Sequence, residues 1–156
     1  MLKELWILIK MLFASSPKEI KEVKVIDMVH FPFEGFKAMV WFGCIIHRKD
    51  ASAVNERTIN HESIHLAQAK LCGSWWKYYL TYLWEWIKGN PIIHPSSSAY
   101  MTIPYESEAY ANEDNPDYAK EYDGSNIEKY TFKNRKKLYK SVGGTSSQWR
   151  AYVKKL

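Results

Sequence analysis

The chain of 156 residues fits one domain spanning 1–156, and with 46% hydrophobic residues it can bury a sizeable core. Its 25% charged residues, 7 Trp, 11 Tyr and 6 Phe exclude a disordered, collagen-like or low-complexity polymer, and two cysteines exclude a disulfide-dense scaffold or a four-cysteine zinc ribbon. The net charge of +5 invites a nucleic-acid reading, but no helix-turn-helix, zinc finger or RNP-type motif accompanies it, so no nucleic-acid partner is expected.

The first element is an amphipathic helix over 1–16. Leu2, Leu5, Trp6, Ile9, Leu12 and Phe13 fall on one side of it, so that face covers the core or lies on a membrane surface. Glu4 and Lys10 argue against a signal peptide, and the apolar stretch is shorter than the ~20 residues of a membrane span. After Pro17 the pattern turns strand-like at Val23–Ile26 and again at Phe36–His47, with Pro32 and Gly35 between. A helix follows from about Ile59 to Cys72, with Thr58 or Asn60 as N-cap and Gly73 as its stop.

Ser74 caps the next helix and Gly89 ends it. It carries Trp75, Trp76, Tyr78, Tyr79, Tyr82, Trp84 and Trp86 almost all the way round, and a helix apolar on every side is expected inside the core, ahead of a protein partner or lipid. Residues Asn90 to Ala99 read as a loop. Pro104 opens a third helix reaching about Glu113, and Asn115-Pro116 opens a short one that Gly124 ends. The remainder, 125–156, is a basic helical tail with a helix up to Ser141, a Gly143-Gly144 hinge and a helical end around Trp149–Val153. The nine cations from Lys129 to Lys155 are expected on its solvated face. The expected class is α+β, with short antiparallel strands ahead of a mostly helical domain.

Chemistry concentrates in His61-Glu62-Ser63-Ile64-His65. Residues four apart share a helical face, so both imidazoles reach one Zn²⁺ while Glu62 turns toward the open coordination position. Zinc lowers the pKa of bound water to roughly 7, and a carboxylate beside it serves as general base for attack on a carbonyl. With 5 His and 12 Glu in 156 residues, such spacing arises by chance about 0.01 times per chain. Catalytic zinc needs a third protein ligand. Gln68 and Leu71 stand where a metzincin has Gly and His, which excludes that subclass. A carboxylate from the helix around Pro104–Glu113 is the remaining ordinary solution.

Asn60-His61-Glu62-Ser63-Ile64-His65-Leu66-Ala67-Gln68, followed by Tyr105-Glu106-Ser107-Glu108-Ala109-Tyr110-Ala111-Asn112-Glu113, resembles the small Glu-zincin metallopeptidase-like proteins common in Bacteroidetes bacteria. The resemblance spans roughly 36–113 and implies a zincin-like half-domain with strands before the active-site helix and a Glu as third ligand. Where the related E-x-x-A-D pattern has Asp this chain has Tyr110, so the carboxylate that usually supports a ligand must come from elsewhere. Between the two candidate acids, geometry favours Glu106. Two residues apart is ~200° around a helix, and Glu106 shares its face with the small Ala109, whereas Glu108 sits beside Tyr105 and Asn112 on what reads as the partly wet side.

The expected function is therefore a zinc-dependent metallopeptidase with His61, His65 and Glu106 on Zn²⁺, Glu62 as general base, and a peptide or protein as substrate. A non-catalytic zinc-containing module at a membrane surface or on a protein partner is the alternative. His94, Tyr100, Tyr105 and Tyr110 are the candidates to bind an oxyanion. His30, His47 and Cys44 do not form a second metal cluster, because residues three apart in a strand point to opposite faces. The location expected is cytoplasmic or membrane-peripheral, with export left open.

Overall fold

The computed structural model describes residues 1–13, 16–19, 23–89 and 97–156. In chain order these form α1 (Leu2–Met11), β1 (Lys24–Met28), β2 (Ala38–Trp41), β3 (Cys44–Arg48), α2 (Glu56–Cys72), α3 (Trp75–Lys88), α4 (Ser98–Met101), α5 (Pro104–Asn112), α6 (Arg135–Ser141) and α7 (Ser146–Val153). The class is α+β, as expected.

The sheet is mixed rather than antiparallel. Its order is β1-β3-β2, with β1 parallel to β3 and β2 antiparallel to it. The β2–β3 hairpin turns on Phe42 and Gly43, both at positive φ (42° and 95°), as a tight two-residue turn requires. Glycine takes that conformation freely, but Phe42 does so under strain, and its ring is held against Trp75, Trp76 and Tyr79 while its N–H donates to the Tyr79 hydroxyl. β1 cannot pair with β2 because β3 takes the central place. Ile45 and Ile46 are fully buried on its two faces, which a central strand covered on both sides demands.

Ile46 meets Leu8 and Met28 under α1, while Val40, on the opposite face, meets Leu66, Ala69, Trp75 and Tyr78. The face of α1 that docks is the one bearing Glu4, Leu8 and Met11. The face expected to cover the core or lie on a membrane surface does not cover the core: it is largely in water, with Leu2, Leu5, Trp6, Ile9 and Phe13 exposed. The reason is a polar clasp: the Glu4 carboxylate accepts from the N–H groups of Val29 and His30 (2.7 and 3.1 Å) and turns the helix accordingly.

α2 begins one turn earlier than the sequence suggests, because Asn55 rather than Thr58 or Asn60 is the cap. Its side-chain oxygen accepts from the Thr58 N–H at 2.9 Å. Gly73 ends α2 in the left-handed conformation at φ 74°, and Ser74 caps α3. The expected core position of α3 holds for one face only, on which Trp75 and Tyr78 are buried. Trp76, Leu80, Leu83, Trp84 and Ile87 are exposed.

Residues 116–120 form turns where a short helix was expected. The basic tail carries more of the fold than a solvated appendage would. Tyr130, Tyr139, Trp149 and Val153 close a second core over Met101 and Tyr110, and the Trp149 indole donates to the Ser107 hydroxyl of α5. Among the described residues, no helix is long and apolar enough to cross a membrane.

Candidate metal centre

α2 and α5 pack against each other, and the fully buried Ala109 on α5 permits a close approach. Three side chains converge at the crossing. His61 Nε2 lies 3.2 Å from His65 Nε2 and 3.4 Å from Glu106 Oε2, and His65 Nε2 lies 3.1 Å from Glu106 Oε1. All three residues are buried. Two ligand atoms of a tetrahedral zinc with bonds of ~2.0–2.1 Å stand about 3.3–3.4 Å apart. The spacing of the three residues fits that geometry, and together they form a group able to hold a metal ion.

The outer nitrogens of both rings are committed. His61 Nδ1 faces Glu113 Oε2 at 3.2 Å, and His65 Nδ1 faces Gln68 Oε1 at 2.8 Å. Both oxygens can only accept, so each Nδ1 carries the proton and each Nε2 turns its lone pair inward. Two such nitrogens 3.2 Å apart have nothing to offer each other unless positive charge stands between them. Among the described residues, Glu106 Oε2 is likewise buried without a hydrogen-bond donor. A metal cation answers all three atoms at once.

The titration behaviour shows the same demand for positive charge. Burial alone would lower the His61 pKa, but Glu106 and Glu113 outweigh it and push it up to about 10. His65 is raised against its burial by Glu106, and Glu106 is held well below the usual carboxylate range by the two imidazoles despite its own burial.

Glu62 stands apart from this group. Burial raises its pKa above the ordinary carboxylate value, opposed by both imidazoles, and its carboxylate accepts from the Val40 N–H of β2. With His65 and Glu106 it lines a cavity of about 380 Å³ whose walls are Phe36, Trp41, Tyr79, Tyr82, Trp86 and Tyr100 among others. No lysine or arginine lines that cavity among the described residues.

Glu108 turns away from the imidazoles, but it is fully buried rather than partly wet, because three donors answer its carboxylate. It accepts from Gln68 Nε2 (2.9 Å), Tyr118 Oη and Tyr122 Oη (both 3.0 Å). It thereby braces Gln68, which in turn orients His65. The supporting carboxylate that the sequence left without an address is Glu113, tethered by Arg57 from the first turn of α2 and by Lys154 from the tail. Tyr110, where the related pattern has Asp, packs its ring on His61 with centroids 4.5 Å apart and has the Arg150 guanidinium over the ring at 4.1 Å from its centroid.

Of the oxyanion candidates, Tyr100 lines the cavity, whereas the Tyr105 hydroxyl points to Cys72 Sγ at 3.7 Å. His94 lies outside the described residues. His30 pairs with Glu4, and His47 with Asp27 and the Ser52 carbonyl. One contributor went unforeseen: Tyr82, whose hydroxyl donates to Glu106 Oε1 at 2.7 Å. No local signal marks it, because Tyr82 belongs to a third helix and reaches Glu106 only once α3 is packed beside α5. The chain matches no protein-family model, and no curated protein or solved structure is detectably similar to it.

Proposed function

We propose that the protein is a zinc-dependent peptidase of the zincin type, with His61, His65 and Glu106 holding the metal. The observation that carries this reading is the position of Glu62, a buried carboxylate outside the ligand group that shares one apolar cavity with His65 and Glu106. Three protein ligands and a separate acid are the composition of a catalytic site, whereas a structural zinc takes four protein ligands. When bound, zinc supplies Lewis acidity and lowers the pKa of a water beside it.

The rest falls to the chain. Glu62, anchored by the Val40 N–H, takes the proton of the attacking water and delivers it to the departing amine, a role its raised pKa suits. Burial keeps Tyr100 and Tyr110 neutral, so their hydroxyls remain donors at neutral pH, and Tyr100, which lines the cavity, serves the developing oxyanion. The aromatic walls and the absence of a cation on them select an uncharged, apolar side chain beside the scissile bond.

The test is cleavage of unfolded casein by zinc-loaded protein, with products read by mass spectrometry. Cuts beside apolar residues are expected, and Glu62→Gln should lower the rate about 10²–10⁴-fold while keeping its metal. Equal cleavage by Glu62→Gln, or none by fully metal-loaded wild type, refutes the reading.

A further inference from the structure

The outer face of α3 has no role in the metal centre and breaks the ordinary rule of burial. Trp76, Leu80, Leu83, Trp84 and Ile87 recur at i, i+4, i+7, i+8 and i+11, a single stripe, and each is 44–62% exposed. The stripe is about 17 Å long. It sits on a convex helix whose opposite face carries Tyr78, Tyr79 and Tyr82 against the cavity.

At the C-terminal end of α3 the stripe meets positive charge. Lys88 lies over the Trp84 ring, with its ammonium 5.7 Å from the centroid, and shares a surface concavity with Lys136, Lys137 and Lys140 of α6. The sole acid of α3, Glu85, is neutralised there by Arg135 and Lys88, and α6 contains no acid.

We infer that this surface docks on the anionic headgroups and outer acyl region of a lipid bilayer, with α3 lying in the plane of the interface. The stripe supplies apolar burial, the two tryptophans supply rings with one apolar body and one polar N–H, and the lysines supply attraction to lipid phosphates. Parallel pairing of two such helices would set the lysine clusters against one another, and an antiparallel pair of copies is the occupant that sedimentation equilibrium separates from lipid. At 14 residues α3 is too short to span the bilayer, so the contact is peripheral. The inference stands on the exposed stripe and the lysines alone and does not depend on metal or turnover.

The test is co-sedimentation of the full chain with vesicles of phosphatidylcholine alone or mixed with phosphatidylglycerol. Binding is expected only to the mixed vesicles and should weaken with salt. Leu80→Ser with Trp84→Ser, and separately Lys136→Glu with Lys137→Glu and Lys140→Glu, should each weaken it at least about tenfold. Circular dichroism melting checks that these exposed substitutions leave the fold intact. The inference is overturned by no binding to mixed vesicles, by binding that survives both sets of substitutions, or by binding lost on Trp6→Ser in α1 but kept in the α3 variants. It is also overturned by a stable dimer in sedimentation equilibrium that Leu80→Ser dissociates.

Discussion

The two longest helices, α2 and α3, are consecutive and joined by only two residues, Gly73 and Ser74, yet they break the rule of burial in opposite directions. α2 buries His61, Glu62, His65 and Gln68, while α3 leaves two tryptophans and three aliphatic residues in water. A buried polar group is tolerated only where partners answer it, and α2 finds them across the crossing with α5 in Glu106, Glu108 and Glu113. The outer stripe of α3 stays largely in water, with Trp76 edge-on to Phe42 and Lys88 over Trp84. Both exceptions cost stability or solubility, so each points to a use outside folding: a cation for the first, a lipid surface for the second.

Substitutions can break this contrast. The largest effects belong to the α2–α5 crossing. His61→Ala, His65→Ala or Glu106→Ala should weaken zinc binding at least about 10³-fold in competition with a fluorescent chelator, whereas Glu108→Ala should change it only a few-fold and lower thermal stability instead. Equal losses for Glu106→Ala and Glu108→Ala would mean that the two acids do not have the separate roles assigned here. Next comes Glu113→Gln, which keeps an acceptor for His61 Nδ1 but removes the charge. A loss of about 10–100-fold in metal affinity is expected, with the fold intact by circular dichroism.

On α3 the expected stability change is small. Leu80→Ser and Trp84→Ser should each move the unfolding free energy by no more than about 0.5 kcal/mol in urea, as exposed positions do. A change above 2 kcal/mol would place the stripe inside a packed interface.

The smallest effect concerns α1, whose orientation rests on a charge. Backbone donation from Val29, against a desolvation penalty, and the His30 contacts lower the Glu4 pKa from 4.5 to about 2. A depressed folded value contributes stability that is present above pH 4.5 and fades as the pH falls toward about 2. Hydrogen exchange at Leu5–Ile9 should therefore accelerate in that window, and Glu4→Gln should abolish the pH dependence. Acceleration already at pH 6 would assign the docking of α1 to another group.

Local signals carried much of this architecture into view. The Gly73-Ser74 junction, the Pro104 start and the H-E-x-x-H spacing all act within one or two helical turns, and each stands where its chemistry predicts. Long-range choices were not legible. That β1 joins β3 in parallel depends on which strand takes the buried centre, and periodicity is silent on pairing partners. Which face of α1 docks was not legible, because Glu4 docks through backbone donors that no hydrophobic pattern records. At the metal centre the residues of α2 and α5 were readable because two short motifs contain them. The brace from Tyr82 was not, since it comes from a third helix whose alignment only the packed structure specifies.

The central claim is that His61, His65 and Glu106 hold one metal and leave a position open for chemistry. Zinc-edge X-ray absorption on the purified, zinc-loaded protein tests it most directly. The account predicts one zinc per chain with two imidazole nitrogens at ~2.0–2.1 Å and oxygen donors from a carboxylate and a water completing the shell. A sulfur ligand at ~2.3 Å, or a shell that His65→Ala leaves unchanged, would contradict it.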